Sequence, residues 1–524
     1  LGLPKNMVRV VKPRIGGGFG AKQTLVSELF PALVTLRTGK PAKIVYTRKE
    51  SFQASNSRHQ MRVHVKVGAM KDGTIKAVDM HALSNAGAYG EHASTTIGLV
   101  GHKSIPLYAR QAAFRFSWDV VYTNTMAAGA FRGYGATQGC FAMESAMNEL
   151  AEQLHMDPAQ LRLMNLPHVG EPMAAYYNEP LTSCKLPQCI ERGMEMIGWK
   201  EKYPCVKVDD HRVRGVGMAV TMQGSGISAI DTASVTIKLN DDGYYTLMTG
   251  ATDMGTGCDT ILAQMAAEIL NCPMDRITVD GVDTDHSPFD TGSYASSTTY
   301  VTGMAVVKAC TELNEKIAAE GARRLNIHPE RAEFDGDKVY DRTNPETSIT
   351  LDKLAQDLVV GEGTQWLTAT ASHCSPTSPP PFMAGFAEVE VDLETGETKV
   401  VDYVGVVDCG TVINKNLARV QAEGGIAQGI GMALLEDINY DPKGQMVNST
   451  FMTYKIPCRT DLPEIRVEFE ESYEPNGPFG AKSIGEVVIN TPSPAIAQAV
   501  YNATGVRVRS LPITAEKILM GMEP

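Results

Sequence analysis

Two loops combine residue types that can bind an anion. Residues 16–23 contain three consecutive glycines, which permit positive φ and let the backbone approach a ligand closely. In residues 131–138, Arg132 stands among aromatic residues and glycines, so its guanidinium group can bind an anion while a ring stacks on a planar molecule. Two structural alternatives stay open: a tight turn that packs against a helix, and an arginine that donates to carbonyl groups at a helix start.

Two later segments offer further hydrogen-bond donors. Residues 252–257 precede a predicted helix, and a helix N-terminus attracts anions through its free N–H groups and its dipole. No Gly-Lys-Ser/Thr sequence follows, so this segment is not a P-loop. Residues 291–299 are rich in hydroxyl groups, which either cap the next helix or donate to a phosphate or a ring.

One carboxylate near the end of the chain has the surroundings of a general base. Glu486 ends the segment 480–486 and directly precedes the apolar residues Val487, Val488 and Ile489. Desolvation by such neighbours favours the protonated form of a carboxylate, which suits a group that accepts a proton during catalysis. The alternative is a glutamate in an exposed turn.

Composition excludes several classes of protein. The 524 residues carry a formal net charge of −12, and no basic run reaches five residues, so a nucleic acid would find no continuous positive surface. None of the ten cysteines forms a CxxC pair, which argues against zinc ribbons and cysteine-bound iron–sulfur clusters and favours reduced thiols in the cytoplasm. No apolar run approaches the roughly 20 residues that cross a bilayer.

Hydrophobic periodicity predicts a mixed α+β chain, and its length predicts at least two domains. Strands are expected at residues 8–12, 61–67, 75–84, 276–279, 387–393 and 398–407. Helices are expected at residues 24–38, 141–155, 259–270, 416–435 and 493–503. The stretch 166–210 has several prolines and cysteines and little periodicity, which predicts a domain boundary there.

In this order, the loops resemble the motifs of the molybdenum-binding subunit of the xanthine dehydrogenase and aldehyde oxidase family. The motifs are GGGFGAK, AFRGYGATQ, TDMGTG, QAEGGIAQGIG and AKSIGE, and the resemblance covers nearly the whole chain. It implies an α+β fold in which two large mixed domains of the molybdenum hydroxylase type, residues 1–205 and 206–524, clasp a pterin cofactor at their interface. The amino-terminal part of the first domain is expected to be missing.

The resemblance also assigns roles to individual residues. Glu486 matches the general base of the family. The residues expected beside molybdenum or its ligands are Phe19, Arg132 and Ala295. The residues expected to hold the pyranopterin and its phosphate are Gly17, Gly18, Phe19, Arg132, Met254, Gly255, Thr256, Ala295, Ser296, Ser297 and Gln421. Thr256 stands where the family usually has a glutamine. The threonine keeps a polar group at this position, but its side chain is shorter.

A reaction and a set of cofactors follow from the same resemblance. Glu486 would take a proton from the water whose oxygen enters the product, and this oxygen would attack an electron-poor carbon. The cofactor is expected to be a molybdenum–pyranopterin, with the cytosine dinucleotide form as one option and a terminal sulfido or selenido ligand. Because the chain has no flavin or iron–sulfur motif, FAD and iron–sulfur subunits or domains are expected as partners that receive the electrons.

Three residues are expected to face the substrate. Tyr134 matches a stacking aromatic residue and Thr221 a polar pocket residue, while Val220 stands where a second aromatic residue often occurs. Gln23 stands where purine hydroxylases of the family usually have a glutamate, and an amide cannot exchange a proton with a ring. These residues favour a planar N-heterocycle of the xanthine or purine type. Nicotinate or an aldehyde is the alternative within the family, and a non-catalytic scaffold is the alternative of another class.

Residues 96–108 lack the arginine with which animal xanthine dehydrogenases orient their substrate. His102 and Lys103 lie in this segment and could replace the arginine, although a solvated loop is the favoured interpretation of both.

The first residues of the chain are expected to lie within a larger domain, because the family's metal-contacting glutamine would lie upstream of Leu1. We therefore expect a partner chain or an amino-terminal segment to be buried against residues 16–20, in addition to an electron-transfer partner. Expressed alone, the chain is expected to aggregate or to lose the cofactor, since apolar surface and a strand edge would be uncovered.

Overall fold

The structure is a computed structural model that describes residues 1–108, 110, 113–360 and 363–522. Its strands are β1 (Gln60–Ala69), β2 (Ile75–Asn85), β3 (Ala113–Val121), β4 (Cys205–Lys207), β5 (Arg212–Met222), β6 (Thr232–Leu239), β7 (Tyr245–Thr249), β8 (Ile277–Asp280), β9 (Ala332–Phe334), β10 (Lys338–Asp341), β11 (Asn344–Thr350), β12 (Thr368–Cys374), β13 (Phe382–Asp392), β14 (Thr398–Asp408) and β15 (Ile465–Phe469).

The α-helices of the described residues are α1 (Leu29–Thr38), α2 (Arg48–Ala54), α3 (Ala93–His102), α4 (Ala136–Gln153), α5 (Pro158–Asn165), α6 (Leu186–Ile197), α7 (Trp199–Lys202), α8 (Cys258–Leu270), α9 (Gly303–Leu325), α10 (Leu351–Val359), α11 (Lys415–Leu434), α12 (Pro492–Thr504) and α13 (Ala515–Met522). Among these residues, no helix combines the length and the apolar character needed to cross a membrane.

The strands form four sheets in the part of the chain that the structure describes. Their orders are β1-β2-β3, β11-β10-β9, β12-β6-β7-β8 and β15-β14-β13-β5-β4. The predicted hairpins are confirmed: β1 pairs antiparallel with β2, and β13 pairs antiparallel with β14. Because β13 also pairs antiparallel with β5, it lies in the middle of the five-stranded sheet.

β13 is buried on both faces, which explains its nearly continuous apolar sequence. Ala384 and Phe386 belong to one hydrophobic cluster, with residues of α6. Met383 and Ala387 belong to another, with residues of α12. Since neighbouring side chains of a strand point to opposite faces, the two helices cover the sheet from opposite sides. This layered core supports the loop that carries Glu486, which directly precedes α12.

The predicted boundary between residues 205 and 206 lies inside β4, a strand that pairs with β5. In addition, α6 of the predicted first domain packs against β13 and β14 of the predicted second domain. The two halves therefore share a buried core, and their division into residues 1–205 and 206–524 stays a prediction.

The strand predicted at residues 8–12 is wrong. Val11 forms an isolated bridge with Asp283, and the segment belongs to none of the strands that the structure describes. Single hydrogen bonds hold it instead: the N–H of Val10 donates to the Thr284 hydroxyl, and the N–H of Lys12 donates to the carbonyl of Val282. Periodicity signals an extended chain, but a strand also needs a neighbour with which to pair.

Two predicted helix starts are displaced in the structure. The helix expected from residue 24 begins at Leu29, because Glu28 accepts the N–H groups of Val26 and Ser27 and holds the preceding residues in a turn. The helix expected from residue 141 begins at Ala136, directly after the loop that carries Arg132. The loop therefore passes into the helix without a linker, which fixes the position of Arg132.

α1 presents an uncovered apolar surface, since none of its residues is buried. Leu29, Phe30, Leu33 and Val34 are all exposed. Exposed apolar surface of this kind marks an interaction site. The expectation that a partner chain or an amino-terminal segment is buried against residues 16–20 concerns a different part of the chain and stays a prediction.

Candidate active site

A cavity lies where loops from distant parts of the chain converge. Its empty volume is about 1290 Å³, part of which is open to solvent. The predicted site residues that line it are Gly17, Gly18, Phe19, Gln23, Arg132, Tyr134, Met254, Gly255, Thr256, Ser296, Gln421 and Glu486. The structure thus brings together most of the residues that the motifs single out.

Glu486 lies at the wall of this cavity and is only 9% exposed, so the interpretation as a glutamate in an exposed turn is wrong. Its Oε1 accepts the N–H of Gly133 at 3.1 Å. Its Oε2 accepts the hydroxyl of Ser296 at 3.0 Å. Two donors thus fix the carboxylate at the wall of the cavity, where it can reach a proton of a bound molecule.

A buried ion pair anchors the loop that carries Glu486. Nζ of Lys482 lies 2.9 Å from Oδ1 of Asp408, and both side chains are fully buried. One residue later, the Ser483 hydroxyl donates to the carbonyl of Gly224 at 2.7 Å. These contacts fix the loop on two sides, and the sequence motifs do not reveal them because the partners lie far away in the chain.

Arg132 connects its own loop with the glycine loop at residues 16–23, with the loop that carries Glu486 and with the helix α11. Its Nε donates to the carbonyl of Gly485 at 2.5 Å, and its two terminal nitrogens donate to Gln421 and Gln428. Burial lowers the pKa of Arg132 to about 10, although the negative charge of Glu486 acts in the opposite direction. These hydrogen bonds therefore hold the guanidinium group beside Gly485, the residue directly before Glu486.

The first glycine loop packs as closely as its sequence predicts. The N–H of Gly17 donates to the carbonyl of Met254 at 2.9 Å. A Cβ atom at Gly18 would collide with the sulfur of Met254, so the two loops approach each other closely at this position. Phe19 has a φ of 51°, and its carbonyl accepts the N–H of Arg132 at 2.8 Å. Two of the predicted loops thus form one wall of the cavity.

The N-terminus of α8 differs from the prediction of free N–H groups. Asp253 accepts the backbone N–H groups of Gly255, Gly257 and Asp259. Burial tends to raise the pKa of Asp253, but these three donors hold it below the usual value. The side chain of Asp253 therefore binds backbone N–H groups that the sequence suggested would bind an anionic ligand. Thr256 lines the cavity, as predicted.

Only some side chains of the loop at residues 291–299 face the cavity. Ser293, Ser296 and Thr298 line the cavity. Ser297 and Ala295 are absent from its lining: the Ser297 hydroxyl donates to the carbonyl of Gly292, and the carbonyl of Ala295 accepts the N–H of Gly226. The carbonyl of Ala295 and the side chain of Ser297 thus support the loop, while Ser293, Ser296 and Thr298 face the cavity.

Two of the three predicted substrate residues lie in the cavity, and one does not. Tyr134 and Gln23 both line it. Burial and the charge of Glu486 raise the pKa of Tyr134, and a hydrogen bond from Gln23 partly offsets this effect. Thr221 is fully buried, and its hydroxyl lies 3.4 Å from the carbonyl of Val487. A role for Thr221 in direct substrate contact therefore has no support in the geometry.

The sequence motifs did not single out the part of the wall that follows β14. Cys409, Thr411 and Asn414 line the cavity, and α11 begins one residue after Asn414. The available signal for this segment was its place in the loop directly after a predicted strand, since functional residues often lie in such loops.

The residues of the cavity fit an anionic cofactor. Within the described residues, no carboxylate oxygen lies within 4.0 Å of the Arg132 guanidinium group, so its buried charge has no direct counter-ion. A Cβ atom at Gly255 would meet nothing within 4 Å, which leaves room beside the backbone. Ser293, Thr298 and Gln421 add uncharged donors. Such a set suits a phosphate-bearing pterin.

Comparison with known proteins gives the family. Two models of a molybdopterin cofactor-binding domain match residues 1–166 and 192–463. The chain is 38% identical to the probable hypoxanthine oxidase XdhD of Escherichia coli K12, over 100% of this chain and 55% of that protein. It is 35% identical to the putative xanthine dehydrogenase molybdenum-binding subunit XdhA of the same organism, over 99% and 70%. The chain thus spans about half the length of the hypoxanthine oxidase.

A solved structure agrees with this assignment. Quinoline 2-oxidoreductase from Pseudomonas putida 86 matches with a TM-score of 0.91 and 26% identity, over 99% of this chain and 69% of that one. The chain therefore belongs to the family of molybdenum-binding subunits that includes xanthine dehydrogenase, and the α+β fold that the resemblance implied is confirmed.

Proposed function

We propose that the chain forms the catalytic part of a molybdenum hydroxylase that adds a water-derived oxygen to an electron-poor carbon of a planar N-heterocycle of the xanthine or purine type. The observation that carries this proposal is the buried carboxylate of Glu486, which faces the cavity beside Tyr134 and Gln23. The names of XdhD and XdhA, which refer to hypoxanthine and xanthine, support the same substrate class.

In this proposal, each of these residues has a separate task. Glu486 accepts a proton from the reacting water, and the N–H of Gly133 and the hydroxyl of Ser296 hold its two oxygens. Tyr134 offers an aromatic face to the substrate ring, and Gln23 offers an amide that both donates and accepts. When bound, the molybdenum cofactor supplies Lewis acidity and takes up two electrons. Arg132, Met254, Gly255 and Gln421 would hold it.

We also propose which partners receive the electrons and which nucleotide form the pterin cofactor has. Iron–sulfur and FAD subunits or domains receive the electrons. The names of XdhA and of PaoC, an aldehyde oxidoreductase subunit of E. coli K12 with 31% identity to this chain, describe molybdenum-binding subunits, which supports such partners. A second cavity next to the first shares Thr411, Val412 and Ile413 with it, which would leave room for a cytosine dinucleotide form. All ten cysteines are free thiols, which supports a cytoplasmic location.

A substrate screen tests the proposal. The complex with its partner subunits should contain nearly stoichiometric molybdenum and should reduce an artificial electron acceptor with xanthine or hypoxanthine. Preferential turnover of aldehydes would instead favour the alternative that the 31% identity to the E. coli aldehyde oxidoreductase subunit PaoC suggests. A complex that lacks molybdenum after gentle purification would support a scaffold and overturn the proposal.

Replacement of Gln23 by glutamate should change the order of substrates more than it changes the molybdenum content. A carboxylate beside Tyr134 can accept a proton from a ring nitrogen, whereas the amide cannot. We expect the ratio of kcat/KM between hypoxanthine and an uncharged aldehyde to change by about tenfold, which corresponds to one charged hydrogen bond. An unchanged ratio would show that Gln23 does not contact the substrate. Gln160→Glu, at an exposed position of α5 outside the cavity lining, serves as the control.

A further inference from the structure

Arg58, in the segment between α2 and β1, is a partly buried cation that lies outside the cavity lining but is tied to the loop of Arg132. Its Nη2 donates to the carbonyl of Arg132 at 2.8 Å. Its Nη1 donates to the hydroxyl of Thr137, in the first turn of α4, at 2.9 Å. Its Cζ lies 4.5 Å from the ring centroid of Phe131. One guanidinium group thus holds the loop and the start of α4 together.

The backbone on both sides of Arg58 is fixed to the same region. The carbonyl of Ser57 accepts the N–H of Gly129 at 2.8 Å. The carbonyl of His59 accepts the side-chain amide of Gln138 at 3.0 Å. Because both neighbours of Arg58 are held, its side chain meets the loop in one defined position.

A single peptide group connects Arg58 with the proposed base. The carbonyl oxygen of this group, on Arg132, accepts Nη2 of Arg58. Its N–H, on Gly133, donates to Oε1 of Glu486 at 3.1 Å. A peptide group is planar and rigid, so a donor at its oxygen fixes the direction of its N–H. Since successive hydrogen bonds polarise one another, a cation at the oxygen also strengthens the N–H as a donor.

The backbone of Gly133 is adapted to this arrangement. Its φ is 71°, in the left-handed region that favours glycine. A Cβ atom there would lie 2.7 Å from Oδ1 of Asn490 and 2.9 Å from the hydroxyl oxygen of Thr137. The same hydroxyl donates to the carbonyl of Gly133 at 2.8 Å. Arg58 therefore holds both peptide groups of Gly133, one directly and the other through Thr137.

Arg58 also lies within electrostatic reach of Glu486. Burial lowers the pKa of Arg58 to about 10, while the negative charges of Glu436 and Glu486 act in the opposite direction. The guanidinium group is therefore charged at neutral pH. It attracts the carboxylate that its hydrogen bonds help to orient.

We propose that Arg58 is a positioning residue for the proposed base. It orients the peptide group between Arg132 and Gly133, whose N–H holds the carboxylate of Glu486 at the wall of the cavity. This inference rests on the proposed function. Because Arg58 does not line the cavity, its loss should slow the step in which Glu486 accepts a proton and should leave substrate binding nearly unchanged.

Replacement of Arg58 by methionine tests the proposal in the complete complex, with an artificial acceptor and with xanthine or hypoxanthine, whichever is turned over faster. We expect kcat per molybdenum to fall about ten- to hundredfold, the range that a displaced catalytic group costs, and KM to change less than about twofold. Arg58→Lys keeps the charge and a donor for the carbonyl of Arg132, so it should recover part of the lost kcat.

Arg324→Met is the matched control. Arg324 is also partly buried and donates to a backbone carbonyl, that of Asp357, but it lies outside the cavity lining. Its replacement should leave both kcat and KM within about twofold of the native values, since no contact links it to Glu486.

A double variant separates the positioning of the base from general damage. With Glu486→Gln in place there is no base to orient, so the addition of Arg58→Met should lower kcat by less than about twofold further. A purely structural role predicts independent losses, which would multiply. If Arg58→Met does not retain molybdenum, the same cycle is measured with Arg58→Lys, whose smaller loss should also disappear in the Glu486→Gln background. Loss of molybdenum from both variants would show a structural role and overturn the proposal.

The remaining outcomes distinguish this inference from the proposed function. The role of Arg58 is overturned if the kcat of Arg58→Met equals that of the control, if the loss appears in KM instead, or if it multiplies with the loss from Glu486→Gln. A Glu486→Gln variant with native turnover overturns the proposed base, and a molybdenum-loaded complex that hydroxylates no heterocycle overturns the proposed function. The role of Arg58 fails with either of these two results.

Discussion

Replacement of Glu486 by glutamine is expected to lower kcat at least about 10²-fold without changing the molybdenum content, because the amide cannot accept the proton. The amide can keep both native contacts: its oxygen accepts the N–H of Gly133, and its nitrogen donates to the hydroxyl of Ser296. Local geometry should therefore survive. Steady-state turnover with an artificial acceptor, expressed per molybdenum, measures the loss.

Glu388→Gln is a suitable control for this experiment. Glu388 is also buried, pairs with Lys202 and lies outside the cavity lining. Its replacement should leave turnover per molybdenum within about twofold of the native value, since no proton transfer depends on it. Turnover of the Glu486→Gln variant close to that of this control would show that another group is the base.

Replacement of Arg162 by methionine is expected to lower the free energy of unfolding by about 3–5 kcal/mol. Arg162 is fully buried, and its Nε donates to Glu144 at 2.9 Å. Glu144 also accepts the hydroxyl of Tyr108 and the N–H of Val220 in β5. Without the arginine, the buried carboxylate of Glu144 between α4 and β5 would lose its cationic partner.

Denaturation with urea, followed by tryptophan fluorescence, measures this change. Arg115→Met is the control, because Arg115 and Asp79 form an exposed pair, for which less than about 1 kcal/mol is expected. The double variant Arg162→Met, Glu144→Gln should recover part of the loss, since it removes both charges. Equal stability of Arg162→Met and Arg115→Met would mean that the buried network contributes nothing.

Much of the local structure could be predicted from the sequence. The hairpins β1–β2 and β13–β14 follow from alternating apolar residues around a turn, and both are confirmed. α8, α11 and α12 begin and end within one residue of the predicted bounds. The strand at residues 8–12 fails, since an extended segment becomes a strand only where a second strand can pair with it.

The sequence by itself also determined the motifs that make up the candidate site and their order, since glycine loops and a lone carboxylate are local features. Only the tertiary structure decided which side chains meet. Glu486 and Gly133 are separated by 353 residues, so no local pattern reports their contact. Burial was likewise invisible in the sequence: Thr221 is turned into the core, whereas Lys103 is enclosed by tyrosines rather than solvated. The physical reason is that periodicity reports the local conformation of the backbone, while the surroundings of a side chain depend on segments that arrive from elsewhere in the chain.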